Sequence, residues 1–229
     1  MLQRTGTEKE IVYEGRSLRF LNQRNKGWSY PYDYITHPDE TLASAGCGLF
    51  SLCHAVEWMH GIRLDPEKLS DFARQKGGRG DDGTDRPELL HALMAYGEAA
   101  SMGLRYEEDG LRNDLNTLWE HISQKKGVSL CNLRVGHIVA LVDSREVNGE
   151  KQFLAIDSYS ESAAEKVRDH VREVIPQSEV IADVINKDGL VTGQGIHYAM
   201  FWVPASLPRD FNLLHEAAVQ KFASVDSTP

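Results

Sequence analysis

The chain has 229 residues, 41% of them hydrophobic and 26% charged, with a formal net charge of −9. Those proportions belong to globular proteins long enough for one sizeable core, and the negative balance argues against nucleic acid or an anionic membrane as principal partner. No run approaches the roughly 18 apolar residues of a spanning helix, so no membrane span is expected.

The opening MLQRTGTEKE is polar, without the apolar core of a signal peptide, which predicts a cytoplasmic chain. The first 45 residues read as irregular, and KGWSYPYDYITHPDE is dense in Gly, Pro and aromatics. A helix is predicted from Cys47, because Leu49, Leu52, Cys53, Val56 and Met59 follow i, i+3, i+4 spacing and Gly61 supplies a stop. A second begins in LDPEKLSDFARQKGG, with Asp65 as cap, Pro66 at the first helical position and Gly77 past the end. A third, TDRPELLHALMAYG, pairs Asp85 with Glu88 at its start and closes at Gly97. A fourth, DLNTLWEHISQKKG, turns Leu115, Leu118, Trp119 and Ile122 inward.

The pattern then changes to strands in GVSLCNL, GHIVALVDSREV and KQFLAIDSYS, with Asn148–Gly149 as a hairpin turn. Ser162 to Ile175 reads as a charged amphipathic helix stopped by Pro176, IHYAMFWVPA as a buried strand, and RDFNLLHEAAVQKFASV as a C-terminal helix. Helices first and antiparallel strands afterwards predict an α+β fold, a helical layer packed on an antiparallel sheet, in one domain over 1–229.

Three cysteines, Cys47, Cys53 and Cys131, make no disulfide framework and show no structural-zinc spacing. Cys47 stands apart. It opens a helix between Gly46 and Gly48, where the helix N-terminus favours a thiolate and bare backbone lets a substrate carbonyl approach. Cys53 and Cys131 fall in apolar patterns and read as core.

A thiol nucleophile needs a base within hydrogen-bond reach. Of nine histidines, His54, His60 and His91 lie on helices as surface or interface residues, His121 is helical beside Trp119, and His37, His170 and His215 lack a supporting context. His137 follows a glycine at the start of an apolar strand, and His197 in GQGIHYAMFWVP has similar surroundings. FLAIDSYS presents Asp157 on the strand expected to pair with the one carrying His137. A strict two-residue turn at Asn148–Gly149 would set His137 opposite Ser160 and send Asp157 to the other face. A Cys–His–Asp constellation therefore requires a longer loop or a bulge.

The segments LNQRNKGWSYPY, TLASAGCGLFSLCHAVEWMHG, GHIVALVDS and KQFLAIDSYS resemble the bacteriocin-processing, double-glycine-leader peptidase family, particularly its free-standing relatives, which have a papain-like cysteine peptidase fold. The motifs fall within about 20–158, and the insertion at 160–196 has no counterpart. The resemblance implies Cys47 as nucleophile, His137 as general base, Asp157 as its orienting group and Gln23 as a side-chain donor to the oxyanion hole. It also implies that Gly83 and Thr84, in GGRGDDGTDRPE, border the substrate cleft. Thr41 stands six residues before Cys47, where transporter-linked members carry the glutamine, so Gln23 requires a long intervening loop. Leu49 and Phe50 replace the Pro-Thr that commonly follows Gly-Cys-Gly, and no Walker A motif marks a fused transporter.

The chemistry so implied is acyl transfer through a thioester on a peptide or amide substrate, with neither metal nor organic cofactor. An acyltransferase would use the same thioester, and a catalytically inactive papain-like binding domain would keep the scaffold alone. Elsewhere, Arg79–Asp81 spells RGD as a chance tripeptide in a glycine loop, and Asp81, Asp82 and Asp85 read as solvated loop acids.

Overall fold

The computed structural model describes residues 8–13, 15–104, 115–133, 137–158, 173–174, 182–186 and 198–199. Within them the chain is mixed helix and sheet, an α+β arrangement. It opens on strands β1 (Glu8–Tyr13) and β2 (Arg16–Leu21), paired antiparallel. This corrects the expectation of an irregular start. Leu18 and Phe20 turn into the core on either side of Arg19, a period-2 signal that exposed Arg16, in phase with them, and buried Leu21, out of phase, dilute.

After β2 the chain runs without long elements to α1 (Leu42–Ala45). Buried Trp28 and Tyr32 anchor this stretch, Trp28 packing edge-on to Phe50 at 5.1 Å. Helix α2 (Cys47–His60) follows and ends at Gly61, whose φ of 69° is the left-handed cap that glycine tolerates. The expected stripe is there, with Leu49, Leu52, Cys53 and Val56 all buried, yet Phe50, Ser51, His54, Ala55 and Glu57 are buried too. A helix covered on every side is a central helix.

Helix α3 (Pro66–Lys76) starts as the sequence predicts, Asp65 accepting from the Glu67 N–H. Two short strands, β3 (Arg79–Gly80) and β4 (Gly83–Thr84), pair with each other before α4 (Arg86–Ala95), which Asp85 caps by accepting from the Glu88 N–H. Then come α5 (Glu98–Ser101) and α6 (Leu115–Ser123), the latter burying Leu118 and Ile122.

The sheet is built from β5 (Ser129–Leu133), β6 (His137–Val147), β7 (Glu150–Ile156), β8 (Glu173–Val174), β9 (Ala182–Asn186) and β10 (Tyr198–Ala199), in the order β10-β5-β6-β7-β9-β8, every pairing antiparallel. Glu173–Val174 is strand where the sequence reads helix, because pairing with Val184 and Asp183 on β9 overrides local propensity. The rest of that predicted helix, the C-terminal helix and most of IHYAMFWVPA lie outside the described residues.

Between β6 and β7 the turn is a strict two-residue one, with Asn148 at φ 52° and Gly149 at φ 79°. Val147 faces Glu150 and the ladder is regular to Asp143 and Leu154, but the next pair is Leu141 with Ala155. Val142 is the extra residue of a β-bulge. Beyond it Ala140 faces Ile156, so the continuing register sets Asp157 opposite Val139 and on the same face as His137. The bulge supplies the change of parity that the two-residue turn withholds.

Candidate active site

Cys47 stands at the first turn of α2 and is partly exposed. The two glycines beside it are required by packing. A Cβ on Gly46 would lie 2.5 Å from the Leu42 carbonyl oxygen, and one on Gly48 would lie 2.5 Å from the Thr84 Cβ. The sequence reading gave them to the substrate; the structure gives them to α1 and β4, which close on the helix N-terminus from two sides. Thr84 packs against Gly48, and a Cβ on Gly83 would lie 3.4 Å from the Ala45 carbonyl oxygen. Thr84 also hydrogen-bonds the buried Tyr32 hydroxyl at 2.9 Å.

His137 is buried at the start of β6, and its Nε2 lies 2.6 Å from Asp157 Oδ1. With Nε2 engaged, Nδ1 is the ring nitrogen left for the Cys47 sulfur, with which the imidazole is hydrogen-bonded. Burial on its own would push the His137 pKa down. The hydrogen bonds to Asp157 and Cys47, with their charges, outweigh it and raise the value to about 10. For Cys47, burial again opposes charge, but the imidazolium and backbone hydrogen bonds from Ile138 and Gly48 hold the thiol below its ordinary value. Both shifts favour the thiolate–imidazolium pair. Burial pushes Cys53 and Cys131 the other way, to about 12.

Gln23 is buried just past the end of β2. Its backbone N–H donates to the Ser158 carbonyl at 3.0 Å, and its Oε1 accepts from the Ser158 hydroxyl at 2.8 Å. With Oε1 occupied, Nε2 is the donor end, and its contact to the Ala43 carbonyl is long at 3.4 Å. The dipeptide Asp157–Ser158 therefore holds His137 with one residue and Gln23 with the next. Ser158 escaped the sequence reading, its one available signal being its place beside Asp157.

The other histidines are occupied elsewhere. His54, expected at a surface, is buried, stacked on Phe20 and accepts the Leu21 N–H at Nε2 over 3.0 Å. Burial drives its pKa down to about 3, so it is neutral. His60 and His121 hydrogen-bond the carbonyls of Gly103 and Val128. His37 faces Asp81 at 3.6 Å on the surface, and His91 is exposed. His170, His197 and His215 lie outside the described residues.

Arg79 does not present an RGD tripeptide. Its guanidinium is buried, donates to the carbonyls of Tyr32 and Gly83, pairs with Glu40 and stacks over Tyr32 and Tyr34. It fastens the β3–β4 turn to the segment before α1. Among the described residues no cluster of His, Cys, Asp or Glu is arranged to hold a metal, and no helix is long and apolar enough to cross a membrane. No protein-family model matches the chain, and no curated protein sequence matches it significantly.

Proposed function

We propose that the chain is a papain-like cysteine peptidase or amidase that works through a thioester, as the resemblance to the double-glycine-leader peptidases implies. The observation that carries this reading is the hydrogen-bonded series Cys47–His137–Asp157, in which both shifts favour the thiolate–imidazolium pair. Geometry and role define such a triad more than fold does.

In this reading the Cys47 thiolate attacks the carbonyl carbon of the scissile amide, forming the C–S bond as the C=O electrons move to oxygen. The Gln23 amide and the Cys47 backbone N–H stabilise that oxyanion. As the intermediate collapses, the C–N bond breaks and His137 passes its Nδ1 proton to the leaving amine. A water then attacks the thioester with His137 taking its proton, and cleavage of the C–S bond returns the thiolate and releases the acid. Asp157 keeps the imidazole in place throughout, and Ser158 keeps the donor end of Gln23 turned away from its own hydroxyl.

Treatment with a broad thiol-directed warhead at pH 6, followed by mass-spectrometric mapping, tests the proposal. Labelling is expected at Cys47 alone in the wild type and is expected to be lost in His137→Ala. Equal labelling of the two proteins, or no privileged thiol in the wild type, overturns the nucleophile. Product analysis with and without an added amine then separates hydrolysis from acyl transfer.

A further inference from the structure

Helix α2 carries one small hydroxyl in its buried middle, Ser51, one helical turn beyond Cys47 and on the same face. A serine inside a helix commonly turns back to the carbonyl four residues earlier. Ser51 instead donates to the Ile138 carbonyl at 3.0 Å, in a strand 87 positions away. Ile138 is next to His137, and its backbone also hydrogen-bonds the Cys47 sulfur.

The N–H and C=O of a strand residue point to one side. At Ile138 both turn to α2, the N–H to the sulfur and the carbonyl to the hydroxyl. Pairing of β6 with β7 starts only at Ala140 with Ile156, so β7 does not claim that position. The helix takes it, gripping one strand residue at two points a turn apart. Those two points fix how far β6 stands from α2 and at what angle His137 leaves it.

We propose that Ser51 is a positioning residue for the Cys47–His137 pair, its hydroxyl setting the start of β6 against α2. The inference rests on the nucleophile reading above. It differs from a merely structural role in what it moves. Loss of the hydroxyl lets the Ile138 backbone drift from the sulfur, so the thiolate loses hydrogen bonding as well as its imidazolium.

The measurement is the pH dependence of iodoacetamide alkylation at Cys47 in Ser51→Ala, Ser51→Thr and Ser70→Ala, with unfolding followed in parallel. Ser70 is the matched control, a buried hydroxyl donating to a remote carbonyl, that of Pro31, at 2.7 Å. In Ser51→Ala the acid limb should rise by about one pH unit, which is about a tenfold loss of rate at any pH well below the limb. Ser51→Thr, which keeps the hydroxyl, should restore the limb, and Ser70→Ala should lower stability without moving it. Should the alanine variant not fold, Ser51→Cys, near in size but a weak donor, carries the same expectation, with fragment ions separating the two thiols. A Ser51→Ala limb that coincides with the wild type, or moves no further than that of Ser70→Ala, overturns the role of Ser51 and leaves the nucleophile standing. A wild type with no reactive thiol at pH 6 overturns both.

Discussion

Burial alone would strip the proton from His137, and the carboxylate of Asp157, 2.6 Å from Nε2, leads the interactions that reverse this. An opposite charge at such a distance is worth about 1–3 pKa units. Asp157→Asn removes the charge and keeps the shape, so the His137 pKa should drop by about that amount from its value near 10. The imidazolium signal in an NMR titration would then disappear earlier on the alkaline side. An unmoved titration would mean that the carboxylate does not hold the proton there. Gln23 differs from these residues in what the sequence could show. A polar residue after a short strand carries no periodic signal, and only the resemblance pointed to it. The glycines beside Cys47 show the converse. They were visible at once, but the neighbours that require them, the Leu42 carbonyl and Thr84, are brought up by the fold.

At the scale of elements, the helices carrying their own start and stop residues were the legible part. Asp65, Pro66 and Gly77 bracket α3, Asp85 opens α4 and Gly61 ends α2. These are local chemistry, readable over four or five residues. The β-bulge was legible only as a condition. Turn type and the spacing of His137 and Asp157 demand a change of parity, but nothing in HIVALVDS says which residue provides it. Val142 does, between two regular stretches of ladder. Deleting Val142 removes the extra residue and leaves Leu141 opposite Ala155 and Asp143 opposite Leu154 as consecutive pairs. The expected product has a lower Tm, from the loss of a buried valine, but retains a Cys47 reactive at pH 6. Deleting Leu141 and Val142 together slips the register by one, turns His137 away from Asp157 and should abolish that reactivity. The longer deletion retaining the reactive thiol would show that shared strand face is not what joins the pair.

For the whole molecule, the site is where three parts of the chain close on one another. Helix α2 brings the sulfur, β6 and the end of β7 bring the imidazole and carboxylate, and the segment after β2 brings Gln23. The charges held there make folding depend on pH in a way two opposing titrations define. His137, with its folded pKa raised to about 10, stabilises fully below its unfolded value of about 6.5 and loses that contribution as pH climbs to about 10. Cys47, with its folded pKa lowered, contributes fully above its unfolded value of about 8.5 and loses that contribution as pH falls through the lowered value. Where the two windows overlap below about 8.5 the gain of one opposes the loss of the other, and above about 8.5 the loss from His137 stands alone. The Tm difference between the wild type and His137→Gln should therefore narrow as pH climbs from about 8.5 toward about 10. A difference that does not decline toward pH 10 would mean that His137 does not keep its proton above its ordinary range, and the thiolate would then have no imidazolium beside it.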